Sequence, residues 1–264
     1  MPEELRLVLR ADDAASCVSA NRAVAEVVQA GAVRNVSMMA CGPAFEDVIA
    51  NLLPLLVKHN VCVGVHFTLN AEWVGPKWGP VLLANQVPSL VNADGYFTPQ
   101  PAVLHERGFS VDEAIAEAGA QLARLRNAGV PVVYLDEHMG VGWIRGLRTA
   151  LADFAVRENL LDANALPLSR LPVPEMDPDR NSAENLVEAL VDGLHEAAPG
   201  DYLFVSHPGL DAPDMQAFYL EGGTPGVVAR ERDRERRALV HPDFLAGLQA
   251  RGVRCARYDE LTQP

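Results

Sequence analysis

No stretch of this 264-residue chain approaches the roughly 18 uninterrupted apolar residues that a membrane helix needs. The opening segment, Met1–Arg10, has acids at positions 3 and 4 and no apolar core with a cleavage site, so it does not read as a secretory leader. Its four cysteines, Cys17, Cys41, Cys62 and Cys255, include no Cys-x-x-Cys pair, which removes the usual signature of structural zinc or a redox dithiol. They read as reduced thiols of a cytoplasmic protein. No Gly-x-Gly-x-x-Gly follows the first apolar run, and no phosphate-cradling P-loop occurs anywhere, so nucleotide-binding folds of those kinds have no support. Basic residues are few: 22 against 35 acids, a formal charge of −13. Such a field repels a nucleic-acid backbone and an anionic bilayer, so neither is an expected partner. A neutral or cationic small molecule suits it better. Internal repeats and low-complexity linkers are also missing, and one domain over residues 1–264 is the simplest organisation.

What is present is a regular alternation of short apolar runs and longer helical patterns. Leu5–Ala11, Asn35–Ala40, Val61–His66, Pro131–Asp136, Tyr202–Ser206 and Val253–Arg257 read as strands. Helices are expected over Ser19–Ala30, Ala44–Lys58, Trp143–Asn159 and Ser182–Ala197, with a last one ending at Ala250. Ser110-Val-Asp-Glu113 has the form of a capping box and opens a further helix to Asn127. Alternation of this kind predicts an α/β fold with a mostly parallel sheet covered by helices, open or closed into a barrel. Two segments break the rhythm, 71–104 and 207–226, and both are long enough to be functional insertions. The first carries Trp73, Trp78 and Tyr96, aromatics that either stack on sugar rings or pack the loop against the body.

In parallel α/β folds the carboxyl ends of the strands share one rim, where catalytic side chains collect. Four apolar runs here end in acids or imidazoles: Asp12-Asp13, His66, Asp136-Glu137-His138 and Ser206-His207. Singly, each has a plainer reading: turn carboxylates, core histidines, a solvated strand end, a Pro-Gly turn. Their recurrence at one end of four strands is harder to dismiss. One carboxylate with two imidazoles is a common ligand set for a divalent ion. A second carboxylate beside the first is then free to take a proton from water, and His207 to give one to a departing nitrogen. Those parts suit ion-assisted hydrolysis of an amide or ester. His59, His105, His195 and His241 sit in helices, helix ends or loops and are not assigned to the site.

The same residues carry a family resemblance. Leu-Arg-Ala-Asp12-Asp13 with Asn21 beyond it, Val-Ser37-Met-Met-Ala-Cys-Gly42-Pro43-Ala, Gly64-Val-His66-Phe-Thr-Leu-Asn70, Leu-Asp136-Glu-His138-Met-Gly and Ser206-His207-Pro-Gly209 resemble the YdjC-like carbohydrate deacetylases. Arg232-x-x-Glu235 resembles a late arginine–glutamate pair of that family. The resemblance implies a distorted (β/α) TIM-like barrel, one divalent ion (magnesium or zinc) and a homodimer. It implies Asp13, His66 and His138 as ligands, Asp12 as general base and His207 as general acid. Asn70, Trp73 and Arg232 are the expected substrate contacts. The implied reaction removes acetyl groups from N-acetylated mono- or oligosaccharides; the alternatives are hydrolysis of another amide or ester, and a sugar-binding relic without turnover. Two departures stand out: Ala14-Ala15 where many members have Phe-Gly, which implies a changed turn, and Gly140 where many have a second histidine.

Overall fold

The computed structural model describes residues 4–144, 146–174 and 182–261. All its ladders are parallel, and they join β1 (Leu5–Ala14), β2 (Asn35–Met38), β3 (Cys62–Phe67), β4 (Val132–Glu137), β5 (Leu161–Asp162), β6 (Ser169–Arg170), β7 (Gly200–Ser206) and β8 (Arg254–Cys255). The order is β5-β4-β3-β2-β1-β7-β6, with β8 paired to the first half of β1. No ladder joins β5 to β6 among the described residues, so the (β/α) barrel is distorted and open on that side. Every residue of β2 and β3 is buried, which explains their continuous apolar runs: a strand covered on both faces has no polar side to alternate with.

Helices pack around this sheet. They begin with α1 (Val18–Gln29), a turn at α2 (Phe45–Asp47) and α3 (Leu53–Lys58). The single helix read over Ala44–Lys58 is interrupted by a π-helical turn at Val48–Leu52, just ahead of Pro54, which has no N–H to continue the regular ladder. Next come α4 (Pro101–Arg107), α5 (Val111–Asn127) and α6 (Leu147–Arg157), the last starting four residues later than the sequence suggests because Trp143 belongs to a 3₁₀ segment after His138. The remainder are α7 (Ala183–Glu196), α8 (Pro213–Gln216), α9 (Val227–Leu239), α10 (Pro242–Ala250) and α11 (Tyr258–Leu261). His241 is the break between α9 and α10, its ring accepting from the Asp243 amide (3.2 Å).

The long segment after β3 is tied down by buried polar groups. Glu117 of α5 accepts from the Val81 and Leu82 amides (2.8 and 3.0 Å), and Gln121 accepts from the Thr68 amide and donates to the Thr68 carbonyl. Ser110 caps α5, but Glu113 turns outward to accept from Ser89 in the same loop rather than closing the box on Ser110. Trp78 donates to the Asn70 carbonyl (2.6 Å), and Trp73 packs on Phe218 with ring centroids 5.6 Å apart.

The end of β1 sets up everything that follows. In a regular strand Asp12 and Asp13 would point to opposite faces. Here the register with β2 shifts between Ala11 and Ala14, and Asp13 and Ala15 take φ values of 62° and 81°. That kink turns both carboxylates toward one cavity. Asn21 holds the turn, accepting from the Ala15 amide (2.8 Å) and donating to Asp47 (2.8 Å). Ala15 thus adopts a left-handed conformation that glycine tolerates better. Gly42 packs directly against it: a Cβ there would lie 2.3 Å from the Ala15 carbonyl oxygen. Gly42→Ala is therefore expected to cost about 2–3 kcal/mol in chemical denaturation, the scale of forced overpacking against backbone. A loss below about 0.5 kcal/mol would mean the turn yields freely.

Candidate metal centre and active site

Asp13, His66 and His138 meet at the carboxyl ends of β1, β3 and β4. His138 Nδ1 lies 3.2 Å from His66 Nε2, and Asp13 Oδ1 lies 3.1 Å from the first and 3.4 Å from the second. Donors about 2.0–2.1 Å from a shared tetrahedral or octahedral cation stand about 3.0–3.4 Å apart, so the triangle has the right size for one ion. Asp13 Oδ1 is buried with no hydrogen-bond partner, as a ligand atom facing a cation would be. The donor set therefore fits a divalent metal.

Both imidazoles are oriented from behind by carboxylates. His66 Nδ1 is 3.1 Å from Asp136 Oδ1, a contact created by the β3–β4 register, which pairs His66 with Asp136. His138 Nε2 is 3.2 Å from both oxygens of Glu72. A ligand histidine commonly donates its outer N–H to a carboxylate, which fixes its tautomer and ring position. Burial lowers the basicity of both rings, but neighbouring carboxylates outweigh it. Asp13 and Glu72 bring His138 to about 9, and Asp136 with Asp12 holds His66 well above its ordinary value. Asp13 shows the converse: burial pushes its pKa up, yet Arg232 and His138 hold it well below the usual carboxylate range.

Asp12 receives a bidentate grip from Arg10, with Nε and Nη2 at 2.6 and 2.7 Å. Arg10 also reaches Asp136 Oδ2 (3.0 Å) and donates to Tyr258 Oη (3.1 Å). Ser37 Oγ donates to Asp136 (2.8 Å), and Tyr134 Oη lies 2.9 Å from Ser37 Oγ. Gly64 makes room for that phenol ring, since a Cβ would sit 2.1 Å from it. Burial pushes Asp136 up, but Arg10 and His66 leave it below its ordinary pKa. The acid that looks like a solvated strand end in the sequence is fully buried.

On the other side Arg232 of α9 donates Nη2 to Asp13 Oδ2 (2.7 Å), with its guanidinium over Trp73 and Phe218 at 5.5 and 5.9 Å. Its Nη1 is buried without a partner. His207 follows β7, whose Ser206 pairs with Ala11, so it is level with Asp12; its amide donates to Glu235 (2.6 Å). A cavity of about 410 Å³ joins these groups, lined by Asp12, Asp13, His66, His138, His207, Trp73 and Arg232 with Glu72 and others. Trp73 shows only 8% of its surface and is mostly a wall. Asn70 stands behind that wall: fully buried, it donates to Glu72 Oε2 (2.9 Å) and so acts on His138 indirectly. Cys17 is near this region, but burial pushes its thiol to about 12 and its sulfur caps α1, which makes it unreactive. Arg10 and Glu72 were not singled out in the sequence. Asn70-x-Glu72 offers a faint signal, but the loop contact that aims Glu72 is tertiary.

The arrangement defines a class: an open parallel (β/α) barrel with a buried Asp–His–His donor centre at its carboxyl rim. The chain belongs to the YdjC-like protein family, whose profile it matches over residues 6–250. A mouse carbohydrate deacetylase is 27% identical over 97% of this chain and 95% of its own length. A carbohydrate deacetylase of Enterococcus faecalis is 25% identical over 52% of this chain, which spans about half (49%) of that relative. A crystal structure from Enterococcus faecalis, named for cellobiose-phosphate cleavage, superposes with a TM-score of 0.79 at 20% identity, covering 99% of this chain and 100% of its own. No helix among the described residues is long and apolar enough to cross a membrane.

Proposed function

We propose that this protein is a metal-dependent N-deacetylase of acetylated amino sugars. The observation that carries the reading is the Asp13–His66–His138 triangle beside a second, separately held carboxylate, Asp12. Its relatives named carbohydrate deacetylases supply the substrate class.

Asp13, His66 and His138 would hold one divalent ion, magnesium or zinc, which when bound polarises the acetyl carbonyl and acidifies water at the site. Asp12 takes a proton from the attacking water; both its oxygens accept from Arg10 and each keeps a lone pair for that task. Water oxygen bonds to the carbonyl carbon, the carbon–nitrogen bond breaks, and His207 delivers a proton to the leaving nitrogen. The products are acetate and a free amine. Arg232 keeps Asp13 ionised and aimed, and its free Nη1 donates to an oxygen of the bound sugar. Trp73 forms the cavity wall beside it, and Asn70 supports His138 through Glu72. Burial of the inner groups keeps bulk water from competing with these hydrogen bonds.

The test is direct. Protein purified without chelators is expected to carry about one divalent ion per chain and to release acetate from N,N′-diacetylchitobiose. Ion without acetate would point to another amide or ester as the substrate, and protein that binds no ion would remove the reading altogether.

A further inference from the structure

Asp12 is held in place by a guanidinium, and that guanidinium is held by the far end of the chain. Arg10 Nε and Nη2 grip the two Asp12 oxygens at 2.6 and 2.7 Å. Its third nitrogen, Nη1, is shared between Asp136 Oδ2 (3.0 Å) and Tyr258 Oη (3.1 Å). Asp136 is fixed in turn by Ser37 and His66. Tyr258 is the uncharged anchor of the three, since burial raises its phenol above the ordinary pKa and keeps it protonated.

The position of Tyr258 is built, not incidental. It opens α11, a helix of four residues that is too short to hold itself. Its amide donates to Asn35 Oδ1 (2.9 Å), and the Asn35 NH₂ donates to the Leu9 and Ala256 carbonyls (3.2 and 2.9 Å). Asn35 stands opposite Arg10 in the β1–β2 ladder, so one residue ties down both the strand that carries the guanidinium and the phenol that meets it. The Tyr258 ring packs on Tyr134, with centroids 4.6 Å apart, and both rings are fully buried. Tyr258 does not line the cavity, so it does not touch a sugar bound there. Its hydroxyl is spent on the side chain that grips Asp12. A guanidinium binds a carboxylate through a rigid planar fork, so a tilt at Nη1 is felt at both Asp12 oxygens.

Resting on the deacetylase reading, we infer that Tyr258 is a positioning residue for the reaction: acting through Arg10, it fixes the plane of the guanidinium and with it the orientation of the Asp12 carboxylate.

The experiment uses Tyr258→Phe in the full-length chain, which removes one oxygen and keeps the ring. Zinc is supplied in excess, because an ion that binds only the folded chain offsets lost stability. With N,N′-diacetylchitobiose, kcat is expected to fall about 10-fold while KM stays within about 2-fold, the signature of a misaimed group and not of weakened binding. Zinc affinity by calorimetry is expected to be unchanged, since Tyr258 contacts none of Asp13, His66 and His138. The deciding comparison is the double variant. In Asp12→Asn protein no base is left to aim, so adding Tyr258→Phe is expected to cost less than about 2-fold of the residual turnover. A phenol that only fills the core would cost the same factor in both backgrounds, and that result would overturn the inference. Unchanged kcat in Tyr258→Phe, lost zinc binding, or a chain that stays unfolded in excess zinc would overturn it as well. Folded, zinc-loaded wild-type protein that releases no acetate would end the deacetylase reading, and this inference with it.

Discussion

Asp12→Asn protein is expected to retain its divalent ion and to lose roughly 100-fold or more in turnover, the usual contribution of a positioned general base. Asp12 lies outside the Asp13–His66–His138 triangle, and its carboxylate is gripped by the Arg10 guanidinium. The amide keeps the shape and one acceptor oxygen, but it cannot take a proton, and its NH₂ group faces a guanidinium that wants an acceptor. Some stability is lost for that reason, so ion content and thermal midpoint are measured beside activity. The informative result is a folded, ion-loaded protein whose kcat collapses while KM changes little. Normal turnover in that protein would strip Asp12 of its assigned role.

Asp13→Asn should do the opposite: ion affinity falls by about 100-fold or more, and activity falls with it. Carboxylates that merely orient a ligand histidine are worth about 10–100-fold in affinity, and Asp13 supplies a ligand oxygen itself. The loss also has a pH signature. Because His138 binds its proton up to about pH 9, an ion must displace that proton, and wild-type affinity is expected to rise with pH until about 9. Asp13 raises His138 more than Glu72 does, so in Asp13→Asn the rise should finish at lower pH. The carboxylate contributes to folding as well. Its pKa is depressed, so its stabilisation is present above the unfolded value near 4 and is lost as pH falls through the folded one. Calorimetric titration across pH checks both parts; an unchanged affinity would remove Asp13 from the ligand set.

The parts of this architecture that could be read in the sequence are those with one strong local cause. β1 and β3 are almost wholly buried, β4 and β7 partly so, and each apolar run stops at a polar residue on the rim, which is why Asp13, His66, His138 and His207 stand out. β5 and β6 are two residues each and are held only by their neighbours' ladders, so no periodicity betrays them. The second layer of the site was hidden for the same reason. Asp136 pairs with His66 through strand register, and Glu72 reaches His138 because Trp78 and Asn70 fix a loop far from regular structure. Asn70 reads as a sugar contact in a motif; its NH₂ donates to Glu72 and Met139, and its Oδ1 is buried without a partner. Arg10 looks like an ordinary strand residue until Asp12, Asp136 and Tyr258 close around it.

The clasp between Arg232 and Asp13 joins residues 219 positions apart, and Tyr258 completes the surroundings of Arg10 from still further along. On a ribosome, Asp13, His66 and His138 emerge long before the helix that steadies the first of them. A nascent chain thus carries its three donors unclasped until α9 has been made, and the centre described here forms only when that helix and Tyr258 fold back onto β1. On the deacetylase reading, a divalent ion is accordingly expected to be held firmly only after those late segments have packed against the first strand.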